Sequence, residues 1–214
     1  MKCTEAYVYV NEHRAKDKIS RIINIALKEA VNNFSEICIL CIGSDRATGD
    51  SLGPIVGQML HKNFDLCCIK IYGDLKTPAH AVNIMTILEQ IYTENQNPFI
   101  ITVDAALSKS PSHIGRLNIG KGSLKPGASV GKNLPGVGHF YITGVVNWMP
   151  NPESLAILQS TRLGNVFEMA EVIAEGIAEA IKMQDYLSGR VVKYMFARLF
   201  GRFSATCRRR SLAD

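Results

Sequence analysis

The chain has 214 residues, of which 47% are hydrophobic, and a formal net charge of +5. This length and composition are typical of a single domain with one sizeable core and exclude a disordered chain. No apolar run approaches the roughly 20 residues that a membrane-spanning helix needs. We therefore expect a soluble, cytoplasmic protein without a transmembrane segment.

The positive charge is concentrated in the C-terminal region. Residues 193–214 contain six basic side chains and one acidic side chain, which account for the whole excess. The body of the chain is therefore formally neutral, so nucleic acid is not an expected partner. Apolar residues recur every three or four positions over 191–203, which predicts a basic amphipathic helix and tail (191–214) after a single α/β domain (1–190). That helix could pack on the domain, a partner or a membrane surface, and could also support a homodimer.

Helical and strand patterns alternate along the chain. They predict helices at 16–34, 51–62, 79–92 and 163–187, with the last interrupted at Gly176, and strands at 36–42, 66–72, 99–104, 114–119 and 139–147. A loop rich in glycine, lysine and proline occupies 120–138. Strands separated by helices predict an α/β fold in which a mostly parallel sheet is covered on both faces.

The cysteines and histidines give no metal signature. Cys38 and Cys41 lie three positions apart in a predicted strand, so their side chains should point to opposite faces and cannot chelate an ion together. The five histidines show none of the close spacings typical of metal ligands. We expect reduced thiols, no metal and no cofactor.

Three aspartates lie at or just after the ends of two predicted strands. Asp45 and Asp50 come after the strand at 36–42, and Asp104 ends the strand at 99–104. The carboxyl ends of parallel strands meet at one edge of a sheet, where ligands commonly bind. Two acids in one cleft can hydrolyse a peptide bond, because one deprotonates a water while the other protonates the leaving group.

Structural roles for the same residues remain open at this point. Either Asp50 or Ser51 could be the N-cap of the helix at 51–62, and Asp104 could begin a turn. A Ser-His-Asp arrangement could combine Ser44 or Ser51 with His80 or His139, but the chain contains no nucleophile-elbow motif.

Four segments in order carry a resemblance to a known family. They are ICILCIGSDRATGDSLGP at 37–54, VDAALSKSPSHIGRL at 103–117, KPGASVGKNLPGVG at 125–138 and ITGVVN at 142–147. Together they resemble the YyaC-type sporulation proteins, relatives of the germination protease and of the hydrogenase maturation endopeptidases.

The resemblance implies a phosphorylase/hydrolase-like, three-layer α/β/α sandwich with a mostly parallel mixed sheet. It also implies a sporulation-associated endopeptidase that acts on a protein or peptide substrate, with Asp50 and Asp104 as the catalytic pair. The maturation endopeptidases add a histidine that reads nickel in their substrate. That histidine has no clear counterpart here, because the loop at 125–138 departs from their pattern and His139 falls at the start of the next strand.

The leading hypothesis is thus a two-aspartate, water-mediated peptidase. In it, Gly43, Ser44 and Asp45 shape the substrate cleft, and the segment 127–133, with Lys132 and Asn133, forms a mobile substrate-binding wall. One alternative is a catalytically silent protein of the same fold that binds a peptide or partner during spore formation. Another is a small-molecule hydrolase or phosphorylase, which would need an anion pocket of backbone amides near residues 43–49.

Overall fold

A computed structural model of the chain describes residues 5–30, 33–64, 69–126, 135–149 and 156–187. The strands are β1 (Glu5–Tyr9), β2 (Glu36–Cys41), β3 (Lys70–Tyr72), β4 (Pro98–Ser108), β5 (Arg116–Lys121) and β6 (Phe140–Trp148). The helices are α1 (Ala15–Ala30), α2 (Leu52–Asn63), α3 (Ile84–Glu94), α4 (Ala156–Gln159) and α5 (Leu163–Leu187). Short 3-10 turns occupy Thr48–Asp50 and Pro111–His113.

The strands form one mixed sheet in the order β1-β5-β6-β4-β2-β3. Strands β6, β4, β2 and β3 pair in parallel, and β5 is antiparallel to both of its neighbours. The carboxyl ends of the four adjacent parallel strands therefore lie at the same edge of the sheet, which is the edge predicted to carry the acids.

Helices cover both faces of this sheet. One face packs against α1, α2 and α5 in the larger hydrophobic cluster, which includes Ile19, Ile101, Ile142 and Ile173. On the other face, α3 buries Ile84 and Ile91 in a smaller cluster with residues of β2 and β4. The protein is therefore a three-layer α/β/α sandwich, and the predicted fold class is confirmed.

Helix α3 covers only one half of the sheet face on which it packs. Its cluster includes the β2 residues Cys38 and Leu40 and the β4 residue Ile100, but no residue of β1, β5 or β6. Within the described ranges, no helix packs on this side of β1, β5 and β6. That half of the sheet presents polar and aromatic side chains instead, among them Tyr7, which is 63% exposed.

Several predicted boundaries are wrong for identifiable reasons. Strand β1 is absent from the predicted elements, although residues 7–10 alternate tyrosine and valine as an edge strand would. Helix α3 begins at Ile84 rather than at residue 79, because Ala79 instead forms a bridge with Ile42 beside β2. Helix α5 runs unbroken through Gly176, where an added Cβ would lie 2.8 Å from Ile19 Cγ2. This glycine thus allows α1 and α5 to approach closely.

Cys38 and Cys41 are free, buried thiols in different hydrophobic clusters, as the strand pattern predicts. The expected helix and tail at 191–214 lie outside the described residues. None of the described helices is long and apolar enough to span a membrane.

Candidate active site

The loop after β2 brings Asp50 back to the end of that strand. The Ser44 N–H donates a hydrogen bond to the main-chain oxygen of Asp50 at 3.0 Å, which closes the loop. Gly43 has a φ of +142°, and a Cβ at this position would lie only 2.0 Å from the same oxygen. A side chain at residue 43 would therefore displace the backbone that carries Asp50.

Asp50 does not cap helix α2. It is the last residue of the 3-10 turn, and Ser51 occupies the N-cap position of α2. The Ser51 hydroxyl donates to the Thr48 carbonyl at 2.6 Å and makes no capping hydrogen bond. The alternative in which Asp50 serves as the helix cap is therefore wrong.

Asp104 lies within β4 and not at its end, contrary to the prediction. Pairing with β6 continues beyond it as far as Ser108, opposite Trp148, so the strand extends four residues past the aspartate. The Asp104 side chain is partly buried, and its Oδ1 accepts one hydrogen bond from the Ala105 N–H at 2.8 Å.

The two carboxyl groups influence each other. Burial raises the pKa of Asp50 to about 6, against lowering effects of the Ser44 N–H and of charge on His80. Burial, and then the charge of Asp50, raises the pKa of Asp104 well above its usual range, and the Ala105 N–H opposes this shift. Like charges in a partly desolvated site cannot easily ionise together, so the charge of Asp50 favours the protonated form of Asp104.

His80 is a site residue that the sequence offered only as a possible member of a Ser-His-Asp arrangement. Ala79 bridges to Ile42 and accepts a hydrogen bond from the Gly43 N–H at 2.8 Å, so the next residue, His80, lies beside the Asp50 loop. The His80 N–H donates to Asn83 Oδ1 at 2.8 Å, which fixes the segment before α3.

The His80 ring is oriented by its own backbone. Its Nδ1 accepts a long hydrogen bond, 3.4 Å, from the Val82 N–H, which orients the ring. One feature of the sequence indicates a loop at this position: Thr77-Pro78, which follows a parallel strand. The apolar periodicity of the following helix obscures this signal, because it predicts that the helix begins before His80.

The other predicted site residues have varied positions. Gly43 is buried, Ser44 is half-buried with its hydroxyl accepting a hydrogen bond from the Arg46 N–H at 3.2 Å, and Asp45 is exposed. The predicted substrate contacts Lys132 and Asn133 lie outside the described residues, as does the rest of the wall at 127–133.

The Ser-His-Asp alternative receives no support from the described contacts. Neither Ser44 nor Ser51 is hydrogen-bonded to a histidine in the part of the chain that the structure describes. His139 lies at the opposite end of the sheet, where its Nδ1 accepts from the Ile100 N–H at 3.1 Å and its ring packs against both Phe34 and Phe99. Among the described residues, no group of three His, Cys, Asp or Glu side chains could hold a metal ion.

Comparison with known proteins gives three similarities. Residues 7–176 match the model of a family described as a protein of unknown function, DUF1256. The chain is 44% identical to the uncharacterized protein YyaC of Bacillus subtilis (strain 168) over 172 residues, which cover 80% of this chain and 82% of YyaC. Among solved structures, it is similar to the [NiFe] hydrogenase maturation protease HycI of Thermococcus kodakarensis KOD1, with 18% identity and a TM-score of 0.46. That similarity covers 73% of this chain and 99% of HycI. On the family match and the YyaC identity, the chain belongs to the DUF1256 family.

Proposed function

We propose that this protein is an endopeptidase that hydrolyses a peptide bond with a water molecule placed between Asp50 and Asp104, and that it acts in spore formation. The observation that carries this proposal is the electrostatic coupling of two partly buried carboxyl groups at the carboxyl edge of the sheet. Coupled carboxyl groups with different proton affinities can divide the roles of base and acid between them. The association with sporulation rests on the family resemblance.

The division of roles follows from the pKa shifts. With a pKa of about 6, Asp50 is largely ionised at neutral pH and can accept a proton from the water as its oxygen attacks the peptide carbonyl. Asp104 retains its proton and donates it to the leaving nitrogen as the C–N bond breaks. The proton taken up by Asp50 then returns to Asp104 through exchange with solvent, which restores the starting state.

His80 supports the charged form of the base. Its position beside the Asp50 loop lets positive charge on the ring lower the Asp50 pKa, against the effect of burial. Gly43 permits the loop geometry, Ser44 and Asp45 border the cleft, and Lys132 and Asn133 remain proposed substrate contacts. Because charge on His80 stabilises the ionised form of Asp50, the proton that the two aspartates retain is held by Asp104.

The catalytically silent alternative would require the acids to be occupied by structural contacts. Asp50 caps no helix, and Asp104 accepts one backbone hydrogen bond in the described structure. A carboxylate can accept several hydrogen bonds, so a single donor leaves capacity for a water or a substrate. These contacts favour the hydrolase over the silent binding protein.

The test is a cleavage assay with the full chain. The protein is incubated with a peptide library derived from a spore-former proteome, and new termini are identified by mass spectrometry. We expect discrete cleavage sites whose rates fall by roughly 10²–10⁴-fold in Asp50→Asn and in Asp104→Asn. The substitution Asp17→Asn, at a half-buried position of α1, serves as the matched control and should cleave normally. Absence of cleavage by the wild type, or cleavage by the two site variants at the wild-type rate, would refute the proposal.

A further inference from the structure

A row of side chains leads from Asp104 across the uncovered half of the sheet. Asp104 is paired with Thr143 in β6, Thr143 with Asn118 in β5, and Asn118 with Tyr7 in β1. Residues that are paired across adjacent strands project from the same face, so these four side chains lie in line. The hydrogen bond from Asn118 Nδ2 to Thr143 Oγ1, at 3.2 Å, shows that two of them meet on this face.

This row forms the floor of a groove. The groove has a volume of about 530 Å³, and its lining includes Glu5, Tyr7, Arg116, Asn118, Tyr141 and Thr143. The groove therefore begins one strand away from Asp104 and continues to the edge strand β1. The groove spans the three adjacent strands β6, β5 and β1, about 10 Å between the outer two, which an extended chain of about three residues can cross.

Arg116 gives the groove a chemical preference. Its guanidinium lies over the Tyr7 ring, 5.6 Å from the ring centroid. Its Nε is buried without a hydrogen-bond partner, and no described carboxylate forms an ion pair with it. A buried donor on a cation is costly to leave unsatisfied, and a planar carboxylate is the group that fits a guanidinium best.

The acid that lines the groove is not the partner of Arg116. Glu5 accepts a hydrogen bond from the Tyr141 hydroxyl at 3.2 Å and is paired with Gly120. Arg116 is paired with Tyr9, four residues further along β1. The backbones of Glu5 and Arg116 are thus separated by four residues along the strands, about 13 Å by strand geometry, and the guanidinium rests over Tyr7 without forming an ion pair with Glu5 in the described structure.

We propose that the groove binds an extended peptide and that Arg116 pairs with an acidic residue of it, three or four residues from the bond that is cleaved. Arg116 is two strands across and two residues along from Asp104, which is about 12 Å by sheet geometry. An extended chain covers that distance in three to four residues. This inference rests on the proposed peptidase function, since it assigns a substrate class to the same site.

The test measures peptide binding separately from cleavage. Fluorescein-labelled ten-residue peptides are prepared as three pools that are identical except for one fixed central residue, Glu, Gln or Lys. Anisotropy titrations use the full chain carrying Asp50→Asn, which slows turnover and leaves the groove residues intact. We expect the Glu pool to bind at least ten-fold more tightly than the Gln pool. Arg116→Gln should abolish this preference, and Arg116→Glu should transfer it to the Lys pool.

Two further variants provide controls. Tyr7→Ala changes an exposed side chain, so it should fold, and it should weaken binding of the Glu pool several-fold by removing the ring beneath the guanidinium. Arg21→Gln removes an exposed arginine on α1 and should leave the Glu preference unchanged. Equal binding of the Glu and Gln pools, binding of neither pool, or a Glu preference that persists in Arg116→Gln would overturn the proposal.

The cleavage assay separates this proposal from the proposed function. If the Glu pool binds as expected but no aspartate-dependent cleavage occurs, the groove assignment stands and the peptidase proposal fails. If cleavage depends on Asp50 and Asp104 but shows no acidic preference three or four residues from the cut, the peptidase stands and the groove assignment fails.

Discussion

The Asp50 carboxylate raises the pKa of Asp104, although the two residues belong to different segments of the chain. Asp50 is supplied by the turn before α2, and Asp104 by the middle of β4. Their proximity results from the parallel pairing of β2 with β4, which places the loop after β2 next to the later residues of β4. Four consequences can be measured.

Replacement of Asp50 by asparagine should stabilise the fold at pH 8. Because the pKa of Asp50 rises on folding, from 3.8 to about 6, ionisation in the folded chain costs free energy. We expect Asp50→Asn to raise the free energy of unfolding by about 1–3 kcal/mol at pH 8. Urea denaturation measures this difference, with Glu89→Gln, at an exposed position of α3, as a control that should change stability little. A destabilised Asp50→Asn variant at pH 8 would contradict an ionisation cost at this position.

The stability of the wild type should depend on pH because of Asp50 and Asp104. A carboxyl group whose pKa is raised on folding binds its proton more tightly in the folded state, so its contribution is greatest at acidic pH. That contribution is lost as the pH rises through the folded pKa, about 6 for Asp50 and higher than usual for Asp104.

The double variant isolates this effect from the other titrating groups. His139, whose pKa is lowered by burial, destabilises the fold as the pH falls, which opposes the trend of the aspartates. We therefore compare melting temperatures at pH 5 and pH 8 between wild type and the Asp50→Asn/Asp104→Asn variant. The advantage of the double variant should be larger at pH 8. An advantage that is the same at both values would argue against raised aspartate pKa values.

His80→Gln should shift the acid limb of the pH–rate profile. Loss of positive charge beside Asp50 raises the pKa of this base, so a larger fraction of it is protonated near pH 6. We expect up to about a ten-fold lower kcat/KM at pH 6 and a smaller loss at pH 8, where Asp50 is ionised in both proteins. His13→Gln, at an exposed position, is the control. An equal loss at all pH values would indicate a purely structural role for His80.

Gly43→Ala should damage the site far more than a comparable change elsewhere. The new Cβ would lie 2.0 Å from the Asp50 carbonyl oxygen, so the Asp50 loop must move. Gly122→Ala is a matched control, because Gly122 also has a positive φ, +125°, but nothing lies within 4 Å of its added Cβ. We expect about 1–2 kcal/mol of destabilisation in the control from backbone strain alone. The loss should be larger in Gly43→Ala, with abolished cleavage, and similar effects of both substitutions would contradict this account.

Much of the architecture could be predicted from local patterns. The helix at 163–187 has the predicted bounds, and β2 differs from its predicted strand by one residue, because both elements bury long apolar faces. An apolar run that ends in a polar residue predicts that strand β4 stops at Asp104. The strand continues because β6 supplies hydrogen-bonding partners further along, and pairing with a distant strand cannot be inferred from local hydrophobicity.

The sequence by itself determined the α/β class, the three candidate acids Asp45, Asp50 and Asp104, from which the family resemblance selected Asp50 and Asp104, and the opposite orientations of Cys38 and Cys41. Those conclusions depend on periodicity and on the residue types at the carboxyl end of each strand, which are local properties. Only the tertiary structure placed His80 beside the acids and opened a groove that ends at Arg116. Both depend on strand order and on which half of the sheet lacks a helix, and these are set by long-range packing between segments far apart in the chain.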